Sequence, residues 1–146
     1  MVITKLMLGG VALALVACAP GPKSSHGFRL PDGDPDAGQA AFEALGCAGC
    51  HTVEGAEVQG PPQRAIEMAL GGKVHRVRTY GELVTAVVHP SHDISKAFSE
   101  GPATDGSSPM INSNATMTVQ QLIDVVAFLQ AAYTEYLPDD YDPYFP

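Results

Sequence analysis

Apolar residues recur at helical spacing in three stretches of this chain, and each stretch opens on residues suited to start a helix. Ala37, Ala41, Phe42 and Leu45 share one face of a first helix beginning at Asp34-Pro35-Asp36, an acidic cap with proline at the first helical position. Leu83, Val84, Val87 and Val88 form the apolar face of a second helix, opened by the capping box Thr79-Tyr80-Gly81-Glu82. His89 precedes Pro90 and is expected to be extended, which stops that helix. The third pattern is the clearest: Leu122, Val125, Val126, Leu129, Ala132, Tyr133 and Tyr136 follow a second capping box, Thr118-Val119-Gln120-Gln121, and Pro138 ends the run. No segment alternates as a strand should, and residues 73–78 offer at most a short hairpin arm. The expected fold class is all-α, three main helices joined by long loops.

Ahead of these helices the pattern changes. Lys5 precedes an apolar run over residues 6–16 that is too short to span a membrane and has the shape of an export signal. It ends in Leu15-Val16-Ala17-Cys18, which resembles the lipobox of bacterial lipoproteins. That resemblance implies cleavage before Cys18 and lipidation of its sulfur; the alternative is an ordinary secretory signal with an incidental cysteine. Residues 1–17 are thus read as a lipoprotein signal peptide. Residues 18–33 form a lipidated N-terminus and a tether rich in Gly, Pro and Ser. Residues 34–136 form the folded domain, and residues 137–146 an acidic, aromatic, Pro-rich tail, either a disordered terminus or a partner-binding arm.

Length and charge narrow the function classes. A chain of 146 residues fits one domain. Its formal charge of −8 becomes −9 once Lys5 is removed, which argues against nucleic acid and against electrostatic attraction to anionic lipid. An acidic surface favours a partner with a basic docking patch.

The candidate chemistry lies in five residues, Cys47-Ala48-Gly49-Cys50-His51. A bare Cys-x-x-Cys fits a redox dithiol or half of a zinc site. His51 directly after Cys50 turns the balance to covalent haem attachment. Two thiols three positions apart can reach the two vinyl groups on one porphyrin edge, and the following imidazole supplies the proximal axial ligand of the iron. A single motif implies one haem c. Of the three cysteines, one is assigned to lipid and two to thioethers, leaving none for a disulfide or a zinc cluster. A haem attached outside the cytoplasmic membrane also agrees with the export signal.

The order of these parts resembles the monohaem class I cytochrome c family over residues 34–136. The family carries Gly-x-x-x-aromatic on its first helix, here Gly38 and Phe42, and an aromatic on the last helix where the two cross, here Phe128. The residues from Tyr80 through Leu83, Val87, Pro90 and Ile94 resemble a subgroup with a Tyr-x-x-Leu helix followed by a Pro-Ser loop. The resemblance implies a cytochrome c fold wrapped around one covalently bound haem. It also implies a Gly-Pro, here Gly60-Pro61, whose carbonyl accepts the proximal imidazole N–H. Pro62 departs from the common pattern and leaves open which carbonyl is used.

The sixth ligand separates a closed electron carrier from an open, ligand-binding haem. Met117 directly precedes the Thr118 cap, with Leu122 at the fourth helical position, so a hydrophobic staple already accounts for it. Met110 lies in a loop like that of the family's ligand methionine, and His51 with Met110 is the expected axial pair. His75, His89 and His92 lie between the haem motif and that loop, and His26 lies in the tether. Arg76 and Arg78 are either a solvated arm or partners of the haem propionates. The expectation is a lipid-anchored electron-transfer protein, not an enzyme, on the periplasmic side of a bacterial membrane. It would pass single electrons between redox partners as a shuttle or as an oxidoreductase subunit. The alternative is an open-site haem protein, peroxidase-like or gas-binding.

Overall fold

The computed structural model describes residues 28–62, 66–94 and 105–136. The expected signal peptide, Cys18, His26, most of the expected tether and the C-terminal residues from 137 on lie outside the described residues. Among the described residues three α-helices carry the fold: α1 (Pro35–Ala44), α2 (Tyr80–Val88) and α3 (Val119–Ala131).

Each helix starts where its cap dictates. The Asp34 side chain accepts from the Asp36 and Ala37 N–H groups. Thr79 and Thr118 each form a full capping box, with Glu82 and Gln121 reaching back to the cap backbone. The Glu82 carboxylate also takes both guanidinium nitrogens of Arg76, at 2.9 and 2.7 Å. Arg76 and the Thr79 backbone N–H together hold the Glu82 carboxyl down to about 2. A carboxylate depressed on folding stabilises the native chain above its unfolded pKa, and that contribution fades as pH falls from 4.5 towards about 2. An NMR titration is expected to place the Glu82 midpoint near 2, and Arg76→Ala is expected to raise it. A wild-type midpoint in the ordinary carboxylate range would rule the bridge out in solution.

The two terminal helices make the main packing contact of the domain. Gly38 permits it. A Cβ at that position would run into the Asp124 carbonyl oxygen of α3 and lie 2.7 Å from the Phe128 Cβ. Beside it the Phe42 and Phe128 rings meet edge to face, centroids 5.7 Å apart. Phe42, Val125 and Val126 are fully buried. Asp124 is buried as well, because its Oδ1 accepts the Asp34 N–H at 3.0 Å and the Gln120 side-chain amide at 2.9 Å. This carboxylate ties the start of α1 to the middle of α3.

The structure departs from the all-α expectation in four short strands. β1 (His51–Val53) pairs in parallel with β2 (Met68–Leu70), and β3 (Gly72–Val74) in parallel with β4 (Tyr133–Glu135). Residues 73–78 therefore form no hairpin arm; the first of them pair with the residues that follow α3. The third helix is also shorter than its apolar pattern suggested. It stops at Ala131, and Tyr133 and Tyr136 leave it. The Tyr136 N–H bonds the Val74 carbonyl at 2.7 Å and the Gly72 N–H bonds the Ala132 carbonyl at 2.9 Å. An aromatic and a β-branched residue, Tyr133 and Thr134, suit this strand pairing.

Candidate functional site

The residues of the Cys47–His51 motif are placed by a tight turn and a strand. Gly46, in the left-handed conformation at φ 78°, turns the chain out of α1 into a 3₁₀ turn over Cys47–Gly49. The Cys50 N–H closes that turn on the Cys47 carbonyl at 3.1 Å. Cys47 and Cys50 are both half-buried and form no disulfide. Burial pushes the Cys47 thiol up, the opposite of the depressed thiol a redox dithiol needs.

His51 follows as the first residue of β1 and is only 8% exposed. Its register partner on β2 is Met68, and His51 Nδ1 lies 3.3 Å from the Met68 carbonyl. The tautomer with hydrogen on Nδ1 donates to that carbonyl and leaves Nε2 free for a metal. This differs from the expected acceptor, Pro61. Pro61 is exposed, and the chain before it is drawn along α1, where Gln39 donates to the Glu57 carbonyl at 2.8 Å and the Gln59 N–H to Glu43 at 2.9 Å. Strand pairing brings Met68 to the imidazole instead. Burial holds the His51 pKa below its ordinary value, with the Met68 carbonyl opposing it, so the ring is kept in the neutral form that ligates metals. The Phe42 ring stands 6.4 Å from the imidazole, centroid to centroid.

These groups open onto one cavity of about 850 Å³. Cys47, Cys50 and His51 line it, as do Leu83 and Val87 of α2 and Met110 from the loop before α3. Of the apolar face of α2, Leu83 and Val87 look into the cavity, while Val84 packs against the core. Met110 is 37% exposed. Met117 is not among the lining residues. His89 and His92 also line the cavity, their rings 5.7 Å apart, while His75 lies beside Tyr136. Of the two arginines, Arg76 is engaged by Glu82, and Arg78 lines the cavity.

The lining fits a haem. Two thiols and a neutral imidazole stand in one mostly apolar space, whose volume falls in the range of about 300–1,000 Å³ usual for cofactor sites. The family model for cytochrome c matches residues 35–132. The chain belongs to the cytochrome c family. No curated protein and no solved structure matches it significantly. Covalently bound haem c is the cofactor of this family, and its iron supplies a one-electron couple. In this cytochrome, Cys47 and Cys50 are the thiols that would hold the macrocycle, and His51 the imidazole that would ligate its iron.

Four residues at this site escaped the sequence reading: Met68, Ser91, Ser108 and Asn114. Met68 acts through its backbone carbonyl, which no residue type announces. Ser91 was visible only as half of a Pro-Ser loop. It accepts the Ser108 N–H, and Asn114 donates to the Val88 carbonyl.

Proposed function

We propose that this cytochrome is a monohaem class I electron carrier with a closed His51/Met110 site, anchored by lipid on Cys18 to the periplasmic side of a bacterial membrane. The observation that carries the reading is the presence of Cys47, Cys50, His51 and Met110 around a single cavity. Met110 would supply a thioether ligand to complement His51, which would raise the potential relative to a bis-histidine site. The Met68 carbonyl and the Phe42 ring beside His51 would limit its movement when the iron changes oxidation state. Electrons cross near the half-buried Cys47 and Cys50, where Ile111 lies close to Gly46 and is 64% exposed. An acidic chain docks a redox partner with a basic face, as a shuttle or within an oxidoreductase.

Spectroscopy of the haem-loaded full chain tests this. Wild type is expected to show a methionine–iron charge-transfer band when oxidised and to bind carbon monoxide slowly when reduced. Met110→Ala is expected to abolish the band and admit carbon monoxide rapidly. Rapid binding by wild type, with no such band, would establish the open-site alternative. In the same cells Cys18→Ala is expected to move the protein from the membrane to the soluble fraction with its spectrum unchanged; retention in the membrane would remove the anchor.

A further inference from the structure

Met110 reaches the cavity on a stretch of chain with no helix or strand of its own, so its position depends on what ties that stretch down. Two side chains do so, and both ties end on the same neighbouring segment. On one side, the Ser108 N–H donates to Ser91 Oγ at 3.0 Å, and Ser108 Oγ in turn accepts the Met110 N–H at 3.2 Å. On the other, the Asn114 side-chain amide donates to the Val88 carbonyl at 2.7 Å.

Both anchors are well prepared for the task. Val88 is the last residue of α2, and its carbonyl has no partner within the helix. Asn114 supplies one, while its own N–H bonds Asn112 Oδ1 at 3.0 Å and so shapes the turn that presents it. Ser91 sits in the turn closed by the His92 N–H on the His89 carbonyl at 2.9 Å, with Pro90 restricting the backbone beside it. The chain on either side of Met110 is therefore clasped to the end of α2 and the turn after it. That turn also carries His89 and His92, the other imidazoles lining the cavity.

We infer that Ser91 and Asn114 are positioning residues that hold Met110 at the sixth position. The inference rests on Met110 being the ligand. Neither residue touches the iron; each limits how far the Met110 loop can swing away. Their bonds are solvent-exposed, so each loss is modest: about a fivefold to tenfold rise in the fraction of molecules with Met110 detached.

The test uses the oxidised and reduced haem-loaded chain with Ser91→Ala, Asn114→Ala, the double variant, Ser91→Thr and Met110→Ala. Carbon monoxide association with the reduced protein is expected to rise about fivefold to tenfold in each alanine single variant and further in the double. On heating, the charge-transfer band of the double variant is expected to disappear before the helical circular dichroism does. Ser91→Thr, which keeps the hydroxyl, is expected to behave as wild type. If Met110→Ala keeps the band, the ligand assignment fails and the inference with it. If Met110→Ala loses the band but the Ser91 and Asn114 variants bind carbon monoxide at the wild-type rate, the inference alone is overturned. Loss of band and helix in a single transition in the double variant overturns it equally, since the bonds would then serve general stability only.

Discussion

Replacing Cys47 and Cys50 together by serine is expected to give a chain that surrenders its haem to acidified organic solvent and, once stripped, loses its helices. The described core contains ten buried apolar residues, two of them alanine, for a domain of about a hundred residues. Ordering each residue costs about 1–2 kcal/mol of backbone entropy, and so small a core does not offset that alone. The cavity of about 850 Å³ is walled by Phe42, Leu83, Val125 and Leu129, which belong to that same core. At about 24 cal/mol per Å³, a closed void of that size would cost about 20 kcal/mol. The cavity is open at its mouth, so the cost lies below this. Even a third of it rivals the 5–15 kcal/mol that keeps an ordinary domain folded. Thioethers matter because they make the group filling the cavity impossible to lose. Wild type is expected to keep haem and helix through the same extraction, read by absorbance and far-ultraviolet circular dichroism. Unchanged helix in the stripped double variant would show that the apolar walls close without the haem.

What could be read from the chain, and what could not, divides by the range of the interaction. The starts of all three helices were legible because a cap is decided within four residues: Asp34 before Pro35, Thr79 before Glu82, Thr118 before Gln121. The Cys47–His51 motif was legible for the same reason, its spacing being set by the edge of a porphyrin. The Gly38, Phe42 and Phe128 crossing was reached through family resemblance, and the structure brings those residues together. The strands were not legible. Three residues hold no period, and the pairing of His51 with Met68 joins segments seventeen residues apart. The apolar phase of α3 runs on through Tyr133 and Tyr136, and only pairing with Gly72–Val74 ends the helix. Nor does the helical pattern single out Asp124, which is buried where its carboxylate accepts the Asp34 N–H. The sequence leaves Arg76 between solvent and propionate; its pairing with Glu82, the residue that closes the capping box of α2, was not legible there, and the side chain stays 67% exposed.

Gly38→Ala is expected to be the most destabilising small substitution in the described domain, costing about 3 kcal/mol or more. The added methyl meets backbone on the opposite helix, the Asp124 carbonyl, and the Phe128 Cβ at 2.7 Å. Neither is the free end of a flexible side chain, so relief requires α1 and α3 to move apart. That movement opens the domain's main helix contact and draws Asp124 Oδ1 away from the Asp34 N–H. It also shifts Phe42, one turn along α1, which stands beside both Phe128 and the His51 ring. At about 4–8 °C per kcal/mol for a domain of this size, the melting temperature is expected to fall by at least about 12 °C. Gly81→Ala is the comparison: a Cβ there meets no protein atom within 4 Å, and the position, on the cavity wall, is helical and exposed. It is expected to melt at or slightly above the wild-type temperature, since alanine favours a helix more than glycine does. Equal melting of the Gly38→Ala and Gly81→Ala proteins would mean that the two helices cross farther apart in solution. The cytochrome would then owe its proximal side to the strand pair that holds His51 and not to the helix crossing behind it.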